Sequence, residues 1–193
     1  MSAQLITTLH RELAERLPRK RHTHVMGVEG MTLLLADQWG IDPEACHLAA
    51  LLHDYAKAQP ARELETLLAK SQRFALSEED RQHPAIWHGL AAAEIAATRF
   101  ALTDDRIREA VAWHPTGAAP WSDVGLVLYV ADYLEPGRNF TGVDQQRAQF
   151  SALSLREAAL AIAKEKIRIV QQRGQVVHSR TTAMVQWLQP HFA

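Results

Sequence analysis

Apolar residues recur along most of this chain at the three- and four-residue spacing that is typical of amphipathic α-helices. One such stripe contains His24, Val28, Met31 and Leu35. No segment shows the sustained alternation of apolar and polar residues that predicts a strand, and proline and glycine separate the periodic segments. We therefore predict an all-α fold.

Signals at the ends of these segments predict where the helices begin and end. Gly40 follows one helix as a terminating glycine, and Asp42-Pro43 provides the next helix with an N-cap and a first-turn proline. The predicted helices cover residues 3–16, 19–39, 43–57, 61–70, a short segment from 77, 84–100, 103–114, 122–135, 153–173 and 181–188. Residues 138–143 are predicted to form a loop.

Composition narrows the class of protein. The 193 residues carry 21 Lys+Arg against 22 Asp+Glu, so we expect no general affinity for nucleic acid. One cysteine excludes an internal disulfide and a Cys-rich zinc module. The N-terminus does not read as a secretory signal, and the longest apolar run, residues 124–133, is too short to cross a membrane. We predict a cytoplasmic protein whose ten histidines direct any metal site toward imidazole and carboxylate ligands.

Several histidines and aspartates interrupt apolar helical stretches. His24 lies on an apolar stripe, His53-Asp54 follows LAALL, and Asp132 interrupts LVLYVADYL. Taken alone, each is more simply a hydrogen-bonded core residue, because a buried polar group needs a partner. The combined set lies on five predicted helices, which a bundle can direct toward one cavity. Six such ligands suit two metal ions that share a carboxylate; the candidates are His24, His53, Asp54, His88, His114 and Asp132.

The order His, His-Asp, Asp resembles the HD-domain phosphohydrolase superfamily. Five segments resemble successive motifs of its YqeK family, the symmetrical diadenosine tetraphosphate hydrolases. In chain order they are RHTHVMGV, AALLHDYAK, PAIWHG, HPTG and YVADYLEPGRNFTGVDQQR, and the last ends in an arginine downstream of its ADYLEPGR core. The resemblance implies a single-domain helical bundle of the HD type over residues 1–193. Its motif core covers about residues 19–150, and helices in 151–193 pack on that core.

The resemblance also implies roles for individual residues. One ion is bound by His24, His53, Asp54 and Asp132, and Asp54 bridges to a second ion that His88 and His114 complete. The two divalent ions are implied to be iron, with manganese or another divalent ion as alternatives. Asp54 and Lys57 are the implied catalytic residues, and on a helix Lys57 would lie on the same side as Asp54. The implied substrate contacts are Arg21, Lys57, Thr116, Gly117, Arg138, Asn139 and Phe140.

The expected reaction is attack by a metal-bridging hydroxide on the tetraphosphate, which yields two ADP. Two alternatives stay open: another HD phosphohydrolase activity, on (p)ppGpp or a mononucleotide, and a non-catalytic nucleotide-sensing protein. The expected binding partner is a small nucleotide substrate. The sequence leaves open whether the chain forms a homodimer. The family typically has a Thr or a similar residue after the histidine of its HxTG segment, and this chain has Pro115 there. Of the other histidines, His22 is predicted to line the pocket, His47 to be a surface or supporting residue, and His10 and His178 to be solvated.

Overall fold

The computed structural model describes residues 2–139, 143–150 and 152–189, and within these ranges it contains helices and no strand. The helices are α1 (Ser2–Arg16), α2 (Arg19–Trp39), α3 (Pro43–Leu52), α4 (Ala61–Leu68), α5 (Glu78–Arg81), α6 (Trp87–Thr98), α7 (Asp105–Trp113), α8 (Asp123–Leu134), α9 (Val143–Phe150), α10 (Leu155–Gln172) and α11 (Ser179–Leu188). A 3₁₀ turn, Pro84–Ile86, leads into α6. The predicted all-α class is confirmed.

Helix boundaries follow the local capping signals. The Asp42 carboxylate accepts hydrogen bonds from the first backbone amides of α3, and the Ser122 hydroxyl accepts one from Gly125 at the start of α8. Gly40 has φ 65°, and its amide bonds back to the end of α2. These contacts span only a few residues, which is why the sequence predicted them.

Two elements differ from the prediction. The helix predicted to reach residue 57 ends at Leu52, and tight turns follow, including one in which the Lys57 amide donates to the Asp54 carbonyl at 2.9 Å. His53, directly after the end of α3, keeps helical backbone angles of φ −53° and ψ −42°. In addition, α9 occupies a segment where no helix was predicted.

The core lies among α2, α3, α6, α7 and α8, and α10 packs on α8 and α11. The contact between α6 and α7 depends on Gly89, because a Cβ there would lie 2.7 Å from the Ala112 carbonyl oxygen. This close approach puts His88 and His114 side by side. No helix in the described ranges is both long and apolar enough to cross a membrane.

Candidate metal centre and phosphate cleft

The Asp54 carboxylate lies between two groups of imidazoles and presents one oxygen to each. Its Oδ2 is 3.7 Å from His24 Nε2 and 3.6 Å from His53 Nε2. Its Oδ1 is 3.2 Å from His88 Nε2 and 3.9 Å from His114 Nε2. A carboxylate in this position can bridge two ions.

The spacing within each group fits a common ion. Asp132 Oδ1 is 3.2 Å from His24 Nε2, and the Nε2 atoms of His24 and His53 are 3.4 Å apart. In the other group the Nε2 atoms of His88 and His114 are 3.1 Å apart. Ligand atoms that bind one ion at 2.0–2.2 Å lie about 3–3.5 Å from one another. The structure thus brings together all six predicted ligand side chains, from α2, α6, α8 and the ends of α3 and α7.

The outer nitrogens of these imidazoles are held in place. The Nδ1–H groups of His53, His88 and His114 donate to the carbonyls three residues earlier at 2.6, 2.8 and 2.8 Å. His24 Nδ1 lies 3.1 Å from Glu135 Oε1. Each of the four therefore presents Nε2 to the centre. This is the arrangement found for metal-binding histidines, whose other nitrogen is fixed by a supporting partner.

Sequence reasoning assigned no role to Glu135, although it stands in the ADYLEPGR segment. The side chain is buried. Its Oε1 faces His24, and its Oε2 accepts a hydrogen bond from the Gly137 amide at 2.5 Å. The signal that could have identified it is an acidic residue directly before the Pro136-Gly137 turn, close to the predicted ligand Asp132.

The downstream arginine of the motif, Arg147 on α9, has a supporting role. Its guanidinium donates to the carbonyls of Leu134, Glu135 and Arg138 at 2.8, 2.6 and 3.0 Å. These carbonyls lie at and just beyond the end of α8, where helical partners are lost. Arg147 thus stabilises the turn that carries Glu135 and Arg138.

Four of the six ligands have pKa shifts that favour the protonation states metals bind, whereas burial lowers the pKa of His24 by less than Asp132 and then Glu135 raise it. Burial lowers the pKa of His53, and burial together with neighbouring imidazoles lowers that of His114 well below its ordinary value. Burial raises the pKa of Asp54, but the surrounding imidazoles lower it more. Burial also raises the pKa of Asp132. The hydrogen bond from His24 and the nearby cations lower this pKa by more, so it lies well below its ordinary value. Metals bind neutral imidazole and ionised carboxylate, so the residues present fit a metal pair.

Three cations border the centre. Arg21 Nη1 lies 2.7 Å from Asp54 Oδ2, and Arg138 Nη2 lies 2.6 Å from Asp132 Oδ1. Lys57 Nζ is 3.2 and 3.3 Å from the two ring nitrogens of His88, and burial lowers its pKa. Positive charge is thus concentrated beside the metal ligands.

A cleft of about 1010 Å³ opens at this centre, and we call it the phosphate cleft. The predicted substrate residues Arg21, Arg138 and Asn139 line it. His22 is half-buried and is not among the described residues that line the cleft. Phe140, also predicted to contact substrate, lies outside the described residues. The lining residues are Pro18, Arg19, Lys20, Arg21, Thr23, His24, Glu135, Gly137, Arg138 and Asn139.

The structure does not place Thr116 and Gly117 in the phosphate cleft. Thr116 lines another cavity, of about 570 Å³, together with Lys166. Burial lowers the pKa of Lys166 to about 8, although the charge of Asp132 raises it in part. Gly117 has φ 78° and packs against Met184. Their substrate roles stay predictions.

One of the remaining histidines contradicts its prediction. His178 was predicted to be solvated, which is wrong: it is 7% exposed, and its Nε2 lies 3.1 Å from the buried carboxylate of Asp80. His10 and His47 both contact Glu29, away from the centre. Sequence position alone could not reveal these partners, which lie on other helices.

The chain is similar to known proteins over most of its length. The family model described as HD domain matches residues 21–137. Proteins from Bacillus subtilis and Staphylococcus aureus, both named symmetrical bis(5'-nucleosyl)-tetraphosphatase, are 29% and 27% identical over 174 and 169 residues. These matches cover 90% and 86% of this chain, and 92% and 86% of the relatives.

A solved structure has the same fold. It is the crystal structure of a protein from Clostridium acetobutylicum, described as a predicted HD superfamily hydrolase involved in NAD metabolism. Its TM-score is 0.87 at 30% identity, over 94% of this chain and 95% of that chain.

Proposed function

Because this chain belongs to the HD-domain family, we propose that it is a metal-dependent hydrolase that cleaves diadenosine tetraphosphate symmetrically into two ADP. The resemblance of its motifs to that family is confirmed. Three relatives are named symmetrical bis(5'-nucleosyl)-tetraphosphatase, which supports the substrate and the products. The observation that carries the proposal is the Asp54 carboxylate, whose two oxygens face two separate imidazole groups beside a basic cleft.

The metal ions would be held as follows. Asp54 Oδ2 with His24, His53 and Asp132 would hold one, and Asp54 Oδ1 with His88 and His114 the other. When bound, two divalent ions make a water molecule nucleophilic near neutral pH and offset charge on phosphoryl oxygens. This donor set suits several divalent ions, and we propose iron on the basis of the family resemblance.

The chain's own cations would bind and orient the oligophosphate. Arg21 and Arg138 line the phosphate cleft, and their planar guanidinium groups suit phosphate oxygens. Lys57 lies deeper, beside His88, where its charge would offset the negative charge that grows during phosphoryl transfer. The leaving nucleoside diphosphate is a modest base. Once its negative charge is offset, it can depart without a separate proton donor.

Product analysis tests the proposed reaction directly. The purified chain, supplied with iron(II) or manganese(II), is incubated with diadenosine tetraphosphate and the nucleotides are separated by ion-exchange chromatography. We expect ADP alone. Equal amounts of AMP and ATP would overturn symmetrical cleavage, and hydrolysis of (p)ppGpp in preference to the dinucleotide would favour the alternative phosphohydrolase.

A matched pair of variants tests the centre. Asp54→Asn keeps the shape of the side chain but weakens both bridging contacts, so we expect loss of turnover and of bound metal. Asp37→Asn makes the same chemical change at an exposed position of α2 and should leave both unchanged. Full activity of Asp54→Asn would exclude Asp54 as the bridge.

A further inference from the structure

A second cluster of metal-type ligands lies where α1, α2 and α3 meet, and we call it the three-helix cluster. Glu29 of α2 presents its Oε1 to His10 Nε2 of α1 at 2.9 Å and to His47 Nε2 of α3 at 2.5 Å. One ligand atom from each residue lies within 4.8 Å of the others. The side chains of His10, Glu29 and His47 are 37%, 14% and 20% exposed, so the cluster is half-buried and reachable from solvent.

The three-helix cluster is separate from the Asp54 centre. Glu29 lies five residues after His24, which at about 100° per residue puts the two side chains about 140° apart around α2. His47 lies six residues before His53, which gives about 120° around α3 by the same count. Both helices therefore direct one ligand set to the Asp54 centre and another to a different face.

The chemistry of the cluster is that of a zinc site with an open position. We propose that His10, Glu29 and His47 bind a divalent ion of the zinc type and so tie α1 to α2 and α3. Two imidazoles and one carboxylate, with water in the fourth position, form a common zinc donor set. Ligand atoms around a tetrahedral zinc ion lie about 3.3 Å apart, so the Glu29 oxygen needs to withdraw by less than about 1 Å. To bind the ion through Nε2, each imidazole carries its ring proton on Nδ1 in place of Nε2.

The effect of this ion is on the stability of the N-terminal helix. Among the described residues, α1 packs on α2 and α3, and Glu12 of α1 contacts Tyr55 in the turn that carries Asp54. A ligand that binds only the folded chain raises its unfolding temperature. The three-helix cluster is outside the phosphate cleft, so hydrolysis of the proposed substrate should not depend on it.

Zinc stoichiometry tests the site without reference to activity. Wild type, Glu29→Gln and His47→Gln are loaded with zinc chloride and desalted, and zinc is counted per chain by mass spectrometry. We expect each variant to lose about one zinc ion per chain, and the zinc-dependent rise in unfolding temperature to shrink with it. His83→Gln is the matched control, because it removes an imidazole that belongs to neither ligand set.

The outcomes separate this site from the proposed function. Equal zinc content in wild type, Glu29→Gln and His47→Gln would overturn the proposal and leave a hydrogen-bonded triad. If those variants unfold, His10→Gln serves in their place, since its side chain is the most exposed of the three. The same loss of zinc is expected, and no loss overturns the site. Asp54→Asn should keep the zinc of the three-helix cluster, whatever its own activity.

Discussion

Glu135→Gln tests how far the metal ligands depend on a neighbouring residue that is not itself a proposed ligand. Glu135 uses one carboxylate oxygen for the Nδ1–H of His24 and the other for the Gly137 amide. A glutamine keeps one acceptor and turns the other into a donor, so one of these two N–H groups loses its partner. Supporting residues of this kind are worth about 10–100-fold in metal affinity, or about 1.4–2.7 kcal/mol. We expect a loss in that range.

The pH dependence of the loss has a definite sign. Burial lowers the pKa of His24, but Asp132 and then Glu135 raise it more, so that it lies above its ordinary value of about 6.5. Without the Glu135 charge this pKa falls, and protons compete less with metal for the His24 imidazole. The variant's deficit should therefore be largest near pH 8 and should narrow as the pH falls toward 6.

Calorimetric titration with manganese(II) at pH 8, 7 and 6 measures both effects. Glu63→Gln, an exposed change of the same kind on α4, is the control and should match wild type. Equal affinity of Glu135→Gln and wild type at pH 8 would refute the supporting role. A deficit that widens as the pH falls would refute the charge argument.

Four further substitutions have distinct expected outcomes. Lys57→Met should lower kcat by about 10²–10³-fold while the bound metal, measured by mass spectrometry, is unchanged; a loss of metal would contradict this. Arg180→Met removes a bidentate contact to the fully buried Asp80, and urea unfolding should show a loss of about 1.5–3 kcal/mol at pH 7. Because the contact holds the pKa of Asp80 below its ordinary value, the loss should be complete above pH about 4 and shrink below it; an equal loss at pH 3 would refute the pairing. Gly174 has a left-handed backbone with open space around it, so Gly174→Ala should lower the free energy of unfolding by about 1–2 kcal/mol. Gly117 also has a left-handed backbone, but a Cβ there would collide with Met184, so Gly117→Ala should cost at least about 1 kcal/mol more in the same assay. Equal losses for the two variants would exclude the collision.

Local chemistry explains why much of the fold was predictable. Asp42, Ser122 and Gly40 act through hydrogen bonds to backbone groups a few residues away, so their sequence neighbours suffice to predict them. The end of α3 at Leu52 was mispredicted because the apolar pattern continues past it. Asp54, in the turns that follow, contacts His88 and His114, which lie far away in the sequence.

The all-α class, most of the helix boundaries and the six candidate ligands could be read from local sequence patterns. A histidine or aspartate in an apolar stripe must find a polar partner or a metal. The packing of the helices shows which oxygen of Asp54 faces which imidazoles, that Glu135 contacts His24, and that Glu29 joins two histidines elsewhere. These arrangements depend on distances between helices. Such distances are set by packing across the whole core, which no local pattern encodes.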